Sequence, residues 1–363
     1  MNTSDKRGPL AETRRARLLE ALQRDGVLRI SDLTETLGAA AVTLRRDIAQ
    51  LAAEGLVRRV HGGVALPSAD DPPALAEEPD VTALGMLVPS LDYYYPAVAR
   101  GAEEAARELA MRIVLRGGSY KTEDDQPHLL RLVDQGVDAL IVAPRMDVPT
   151  AGRTIDWLAG TGLPVVLLER TAATGPFHAA LESVVTDHAL GAAMAVRHLV
   201  GLGHRRVGVA LAMNSPTRPH VHRGWREAAT ECALDVAATV DALIPDAQSP
   251  DSAAALDEVL DRCLATGTTA LLVHADPEAI ALVQRCEERR IAVPGQLSVV
   301  AYDDEVAGLF SPALTAVRPP RRSIGRAAVR LVADRLADPD RPAHRVVISP
   351  SLRIRASTAA PPD

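Results

Sequence analysis

Two periodicities divide the chain near residue 80. Up to there, apolar residues recur at the three- and four-residue spacing of amphipathic helices. Arg14–Arg24 puts Leu18, Leu19 and Leu22 on one face and is stopped by Asp25-Gly26. Val27–Ile30 is short and extended, Ser31 is the expected N-cap of a helix over Asp32–Leu37, and Gly38 supplies the turn after it. In Val42–Leu51, at about 100° per residue, Leu44, Ile48 and Leu51 fall within about 60° of one another. Arg46 and Gln50 then face the opposite way with Val42 and Ala49 beside them, and Arg45 and Thr43 lie on the flanks. Gly55 closes that helix, Leu56–Val60 reads as a strand, and His61-Gly62-Gly63-Val64 as a tight turn into a second strand.

From Val81 onward, short apolar runs alternate with helical stretches. Strands are expected at Ala83–Val88, Arg112–Leu115, Ala139–Ala143, Val165–Leu168, Arg206–Ala210, Ala270–Val273 and Ser298–Tyr302. Helices fall between them, among them Ala97–Leu109, Leu190–Leu202 and Ser323–Leu336. The alternation predicts an α/β fold of parallel, doubly wound sheets with helices on both faces. Roughly 275 residues exceed what one such sheet uses, so two lobes with a cleft are expected. Between the two regimes, Leu66–Asp80 carries Pro67, Pro72, Pro73 and Pro79 with Asp70, Asp71, Glu77, Glu78 and Asp80 and no base. This reads as a semi-extended linker spanning roughly 20–45 Å. Residues 1–13 and 359–363 are expected to be disordered.

Composition sharpens the division. The chain is 47% hydrophobic but holds only two Trp, five Tyr and two Phe, so its cores are mostly Ala, Val and Leu. Lys6 and Lys121 are the only lysines, so no single arginine marks a site by itself. The net charge of −7 excludes a chain that coats nucleic acid along its whole length. Its distribution is uneven: from Arg14 to Gly63 nine arginines stand against six acids, a local +3. Cys232, Cys263 and Cys286 are far apart and give neither a disulfide framework nor a zinc knuckle, which suits a reducing interior. The polar start Met1–Glu12 has no apolar signal segment, and no run of about 18 apolar residues occurs. A soluble, cytoplasmic protein that meets no membrane is expected.

Helix, strand, helix, turn, helix and hairpin, in that order, make a winged helix-turn-helix over residues 14–65. A helix that buries leucines and presents arginine, glutamine and small residues suits a DNA major groove, where Arg and Gln bond base edges. A solvated amphipathic helix is the alternative for that stretch alone. Arg15 with Leu18 and Leu19, the run Val42-Thr43-Leu44-Arg45-Arg46-Asp47-Ile48, and the run Gly55-Leu56-Val57-Arg58-Arg59-Val60-His61-Gly62-Gly63 together resemble the DeoR-type winged helix-turn-helix. The resemblance implies DNA contacts from Thr43, Arg45 and Arg46 on the helix and from Arg58, Arg59 and His61 on the wing, to which the facing of Gln50 adds a further contact. Where the family has a capping serine this chain has Ala40, a local loss of about 1 kcal/mol, so the helix is expected to firm up on DNA. Asp47 faces the core and is assigned to a structural ion pair.

Residues 81–358 carry six ordered blocks. They are Val88-Pro89 with Asp92-Tyr93-Tyr94-Tyr95 and Arg100-Gly101; Val185-Thr186-Asp187 with Gly191-Ala192 and His198 to Arg206; Arg223-Gly224-Trp225; Ser298 to Asp304; Pro312 to Val317 with Ile324-Gly325; and Pro350 to Thr358. These resemble the LacI/GalR repressors and their periplasmic sugar-binding relatives. The resemblance implies a periplasmic-binding-protein-like sensor with one lobe of residues 81–183 and 316–343 and another of 184–315 and 344–357, joined by three crossovers. It also implies a cleft lined by Asp92, Tyr94, Tyr95, Glu169, Arg170, Trp225 and Asp303. Aromatic rings stacking on sugar C–H faces and carboxylates accepting from hydroxyl pairs are the chemistry such a cleft uses. Ordinary packing for the tyrosines, a helix N-cap for Asp303 and a core position for Trp225 are the structural alternatives. The family's arginine before Gly224-Trp225 is Val221 here, with Arg218 as the substitute if the loop bends. Its asparagine after the strand ending at Val273 is Ala275, so His274 either takes that role or is a satisfied strand-end histidine.

Enzyme chemistry finds little support. No phosphate-binding loop or nucleophile elbow occurs, and Gly201-Leu202-Gly203 precedes a strand instead of following one. Asp303-Asp304-Glu305 and His220-x-His222 lack partners at metal-ligand spacing. A non-enzymatic protein without cofactor or metal is expected. Its partners are operator DNA, a sugar-like effector and a second copy of the chain, as a homodimer or dimer of dimers. The rival reading is a sugar-binding module whose helix-turn-helix serves protein association.

Overall fold

The computed structural model describes residues 8–39, 41–60, 63–67, 81–118 and 124–362. Helix α1 (Gly8–Asp25) opens the chain, followed by β1 (Val27–Arg29), α2 (Ile30–Leu37), α3 (Ala41–Ala53), β2 (Arg58–Val60) and β3 (Gly63–Ala65). Leu18, Leu22, Leu33, Leu44, Ile48, Leu51, Val57 and Val64 form one core, so the apolar stripe of α3 is buried as its spacing predicts. Asp47 is 3% exposed and pairs with Arg14 and, at 3.3 Å, with Arg15, tying α3 to α1. That is the ion pair assigned from the sequence.

Three local expectations are corrected. Helix α1 starts at Gly8, not Arg14, because Ala11, Glu12 and Ala16 favour a helix and Pro9 is tolerated in a first turn. The cap of α2 is Arg29, not Ser31. Strand β1 runs up to Arg29, which stays extended at φ −77° and ψ 151° opposite Gly63, so the helix begins directly after it. Leu56 and Val57 belong to the exit of α3, with Gly55 at φ 71° and Leu56 N donating to Leu51 O at 2.9 Å, so β2 begins only at Arg58. Strand β3 pairs antiparallel with both β1 and β2. A Cβ at Gly63 would stand 2.4 Å from Leu28 O, which is why a side chain is missing there.

Beyond residue 80 the chain alternates as read. In order come β4 (Ala83–Val88), α4 (Tyr95–Glu108), β5 (Arg112–Gly117), α5 (Gln126–Asp134), β6 (Ala139–Val142), α6 (Ala151–Gly160) and β7 (Val165–Leu168), then a small hairpin, β8 (Ala173–Thr174) and β9 (Ala179–Ala180). There follow β10 (Glu182–Thr186), α7 (His188–Gly201), β11 (Val207–Ala212), α8 (Arg218–Glu231), β12 (Asp241–Ile244), α9 (Ser252–Thr266), β13 (Ala270–His274), α10 (Asp276–Glu288) and β14 (Ser298–Tyr302). The chain closes with β15 (Thr315–Arg318), α11 (Arg321–Ala337), β16 (Arg345–Ile348) and β17 (Ser351–Arg353).

Contacts group the chain into two compact units: Met1–Pro89 with Glu103–Glu182 and Ala328–His344, and Ser90–Ala102 with Ser183–Ala327 and Arg345–Asp363. In the first unit β5, β4, β6 and β7 pair in parallel in that order. Every residue of β4, β6 and β7 is buried, the signature of strands covered on both faces. In the second unit the order is β12-β11-β13-β14-β15-β17, parallel except for β15 with β17, and β10 pairs in parallel with β16. Helices α4 and α11 touch at two glycines: a Cβ at Gly101 would lie 2.1 Å from Arg322 O, and one at Gly325 would lie 2.0 Å from Val98 O. The end of the chain is held, contrary to the disordered tail expected. Ala359 N donates to Ser298 Oγ at 3.1 Å, and Ala359 O lies 2.9 Å from His204 Nε2. The polar groups at the amino edge of β14 need these partners. Among the described residues no helix is long and apolar enough to cross a membrane.

Removing the Asp47 carboxylate leaves Arg14 and Arg15 without the anion that joins α1 to α3. Asp47→Ala should lower the unfolding free energy of the N-terminal module by about 1–3 kcal/mol, read by hydrogen exchange across α1–α3 in the full chain, with exchange after residue 90 unchanged.

Candidate functional site

On α3, Gln50 is exposed and donates to Glu54 Oε1 at 3.2 Å, while Thr43 is half-buried. Arg58 is exposed at the start of β2. The side chains of Arg45, Arg46 and Arg59, and the whole of Ala40 and His61, lie outside the described residues. Leu44, Ile48 and Leu51 are buried, and Gln50, on the other side of the helix, is in solvent.

In the second unit, several chemically able side chains gather at the carboxyl edge of the sheet, the place where open α/β sheets bind ligands. The centre is the turn after β14. Asp303 and Asp304 adopt φ of 96° and 53°, a region disfavoured for residues with a Cβ. The turn is held from below by Asp276, the first residue of α10. This carboxylate is fully buried and accepts from the backbone N–H groups of Asp304 (3.1 Å), Glu305 (2.7 Å), Val306 (2.9 Å) and Ala307 (3.0 Å). It is held above the usual carboxylate range by burial, against the pull of those four donors. Asp276 thus does the capping that the sequence offered to Asp303 as its structural alternative. Asp304 is spent on Arg318 and Arg355, at 2.6 and 2.7 Å.

Asp303 remains as the carboxyl for other use. It is buried, and desolvation together with the neighbouring Asp276 raises it to about 8, with Arg321 pulling the other way. Tyr94 lies nearby as a half-buried ring, with Tyr95 packed edge-on against it at 5.3 Å and Arg321 Cζ 5.6 Å from its centroid. Tyr95 is 3% exposed, so it serves as the support of Tyr94 and not as an open surface. Tyr93 places a buried hydroxyl with no hydrogen-bond partner in the field of Asp303 and Asp276, and its burial pushes the phenol upward. Such an orphan donor costs free energy unless a ligand or water meets it. His274 ends β13 with its ring 5.3 Å from Tyr302, whose hydroxyl donates to His188 O at 3.2 Å. Its Nδ1 is buried without a partner, and burial lowers its proton affinity to about 3, so the ring is neutral.

The remaining expected residues are dispersed. Asp92 is exposed and shares Ser90 Oγ through both its carboxylate and its backbone N–H, each at 3.0 Å. Arg218 opens α8 and donates from Nη1 to Met213 O at 2.5 Å, bracing its own loop. Trp225 does not reach the carboxyl edge. It is 1% exposed, and its Nε1 donates at 3.0 Å to the carbonyl of Val207, the first residue of β11, at the opposite end of the strand. The packing of α8 against β11 therefore makes it a core residue. In the first unit, Glu169 and Arg170 follow β7 at its carboxyl end, with Glu169 at φ 53° and Arg170 Nη1 donating to Glu169 O at 2.7 Å. Sequence reasoning missed Tyr93, Asp276 and Arg321. Ala275-Asp276-Pro277-Glu278 carried a usable signal, since Glu278 Oε2 accepts from Ala275 N at 2.9 Å in the manner of a capping box.

Comparison with known proteins agrees with this architecture. Residues 14–70 match the DeoR-like helix-turn-helix domain, and residues 196–358 match the periplasmic binding protein-like domain. The chain is 28% identical over 293 residues to the HTH-type transcriptional regulator MalR of Streptomyces coelicolor, covering 77% of this chain and 81% of that protein. It is 24% identical over 332 residues to the arabinose metabolism transcriptional repressor of Geobacillus stearothermophilus, covering 87% and 86%. Its fold is similar to that of the transcriptional regulator CelR in complex with cellobiose, with a TM-score of 0.64, 22% identity, and coverage of 87% of this chain and 90% of that one. The chain thus joins a stretch matching a DeoR-like helix-turn-helix domain to one matching a periplasmic binding protein-like domain, and over most of its length it is similar to HTH-type transcriptional regulators.

Proposed function

We propose that this chain is a sequence-specific transcriptional regulator, a repressor of carbohydrate uptake or catabolism genes, whose operator affinity changes when a sugar-like effector binds its sensor. The observation that carries the reading is Asp303 and Tyr94 held by one guanidinium, that of Arg321, at the carboxyl edge where β13 also ends in His274. Tyr94 offers a ring face for sugar C–H groups, Asp303 an acceptor for hydroxyls, and neutral His274 a donor or acceptor. Asp92 and Arg218 are assigned secondary contacts, Glu169 and Arg170 are candidates within the first unit, and Trp225 is withdrawn from the set. In the head (residues 14–65), Arg46 and Gln50 read base edges, with Thr43 and Arg45 beside them, while Arg58, Arg59 and His61 hold phosphates from the wing.

A cytoplasmic homodimer sets two heads on half-sites one helical turn (about 34 Å) apart. The effector shifts the population of sensor conformations by its differential affinity. The acidic, proline-rich linker of residues 66–80 joins head to sensor (residues 81–358) and passes the shift on as a change in the effective concentration of the second head.

The direct test is fluorescence anisotropy of the full chain on the upstream region of its own operon, with and without cellobiose or arabinose. Binding to that DNA in preference to random DNA is expected, and its absence would favour the protein-association reading. Arg46→Ala should erase the preference while leaving non-specific binding, whereas Arg58→Ala should weaken both DNAs and lower the salt slope by about 1.

A second prediction follows from the raised proton affinity of Asp303. Unfolded, Asp303 loses its proton near the ordinary 3.8; folded, it keeps it to about 8. The folded state binds more protons between those values, so stability falls as pH rises through that window. Asp303→Asn removes the effect. The melting temperature of the variant minus that of the wild type should climb between pH 4 and 8, on the order of 5 °C, and level off above.

A further inference from the structure

Nothing in the sequence distinguishes Arg321, which stands beside Arg322 after Pro319-Pro320 in a chain with 38 arginines among its 40 basic residues. In the structure it opens α11 and is 8% exposed. Its guanidinium makes three contacts with the site. Nη1 donates to Asp303 O at 2.5 Å, Nε lies 2.6 Å from Glu305 Oε1, and Cζ stands 5.6 Å from the centre of the Tyr94 ring.

These contacts complete a grip on the turn. Asp276 takes the N–H groups of residues 304 to 307, and Arg321 takes the carbonyl of residue 303. A left-handed pair such as Asp303-Asp304 persists only when its surroundings over-determine it. The base from which Arg321 reaches is firm. Just after it, Gly325 seats α11 against Val98 O, and Gly101 seats α4 against Arg322 O, at distances no side chain would allow. Helix α4 begins at Tyr95, immediately after Tyr94. One guanidinium therefore joins the carboxyl-bearing turn to the aromatic-bearing helix.

We propose that Arg321 is a positioning residue of the effector site, clamping the Asp303 turn and the Tyr94 ring into one rigid carboxyl-and-aromatic pair that takes a polyhydroxyl ring. The proposal rests on the effector reading above. The pair suits a ring with hydroxyls at its rim and C–H groups on its face. Lysine is no equivalent, because a single guanidinium donates to the Asp303 carbonyl, pairs with the Glu305 carboxylate and stands over the Tyr94 ring at once. Arg321 also sets the charge of the turn. Asp276 and Glu278 from α10, Glu305 from the turn itself and Tyr93 from the segment before α4 all face Asp303, and Arg321 is the cation that opposes the acids.

The test uses the full chain as wild type, Arg321→Gln and Arg321→Lys. Aspartate is labelled at the side-chain carboxyl with 13C, and Asp303→Asn assigns the signal. The Asp303 carboxyl is expected to titrate near 8 in the wild type, at least half a pH unit or so higher in Arg321→Gln, and near the wild-type value in Arg321→Lys. Calorimetry at pH 7.5 with cellobiose and with arabinose should show about tenfold weaker binding in both variants, because the lysine keeps the charge but loses the fork. An unmoved titration in Arg321→Gln, or wild-type affinity in both variants, overturns the proposal. Should neither sugar bind the wild type, that result counts against the choice of effector, and the titration still decides the role of Arg321.

Discussion

The carboxylate of Asp276 is the constraint on which the rest of the site depends. A fully buried anion is among the most expensive groups a protein can hold, and it survives only where hydrogen bonds replace its water. Here four consecutive backbone N–H groups do so. The arrangement works in both directions. The donors keep the carboxylate in place, and the carboxylate forces the chain after β14 to curl around it, which puts Asp303 and Asp304 into their left-handed conformations. The same anion then makes ionisation of Asp303 costly, so geometry and proton affinity have one cause.

Strain in that turn is offset by what surrounds it. Asp304, with 2% of its side chain exposed, is fully engaged by Arg318 of β15 and by Arg355 beyond β17. Arg355 also donates to Leu314 O at 2.6 Å, and Thr315 N donates to Ser357 Oγ at 2.8 Å. The final residues thus brace the strand next to the site, and the chain end closes over β14 through Ser298 and His204. Residues up to Ala359 are thus packed into the second unit.

Much of this was legible beforehand because it is periodic. The largely apolar runs of β4, β6, β7, β13 and β14 read as strands covered on both faces, and the stripe of Leu44, Ile48 and Leu51 fixes which side of α3 is buried. What escaped depends on partners remote in sequence. Strands β10, β12, β15, β16 and β17 are short and mixed in character, so pairing alone defines them. The roles of Asp276 and Arg321 depend on meeting a turn that starts 27 residues after the former and 18 before the latter. Trp225 was placed by likeness to a family, yet the direction of its indole is decided by Val207 O, at the other end of β11. Ser31 failed as a cap because the strand pairing of Arg29 to Gly63 outranks a side-chain preference two residues away.

The sharing of β1 has a consequence for the head. The strand that connects α1 to α2 is also an edge of the sheet that carries the wing, paired through β3 to β2. Hinge motion between helix and wing would have to tear main-chain bonds and open the leucine core. Helix α3 and the β2–β3 pair are thereby locked at one separation, like the jaws of a fixed-gauge tool. Two surfaces held in this way meet a common partner with no further cost in aligning them, because that entropy is lost once, at folding.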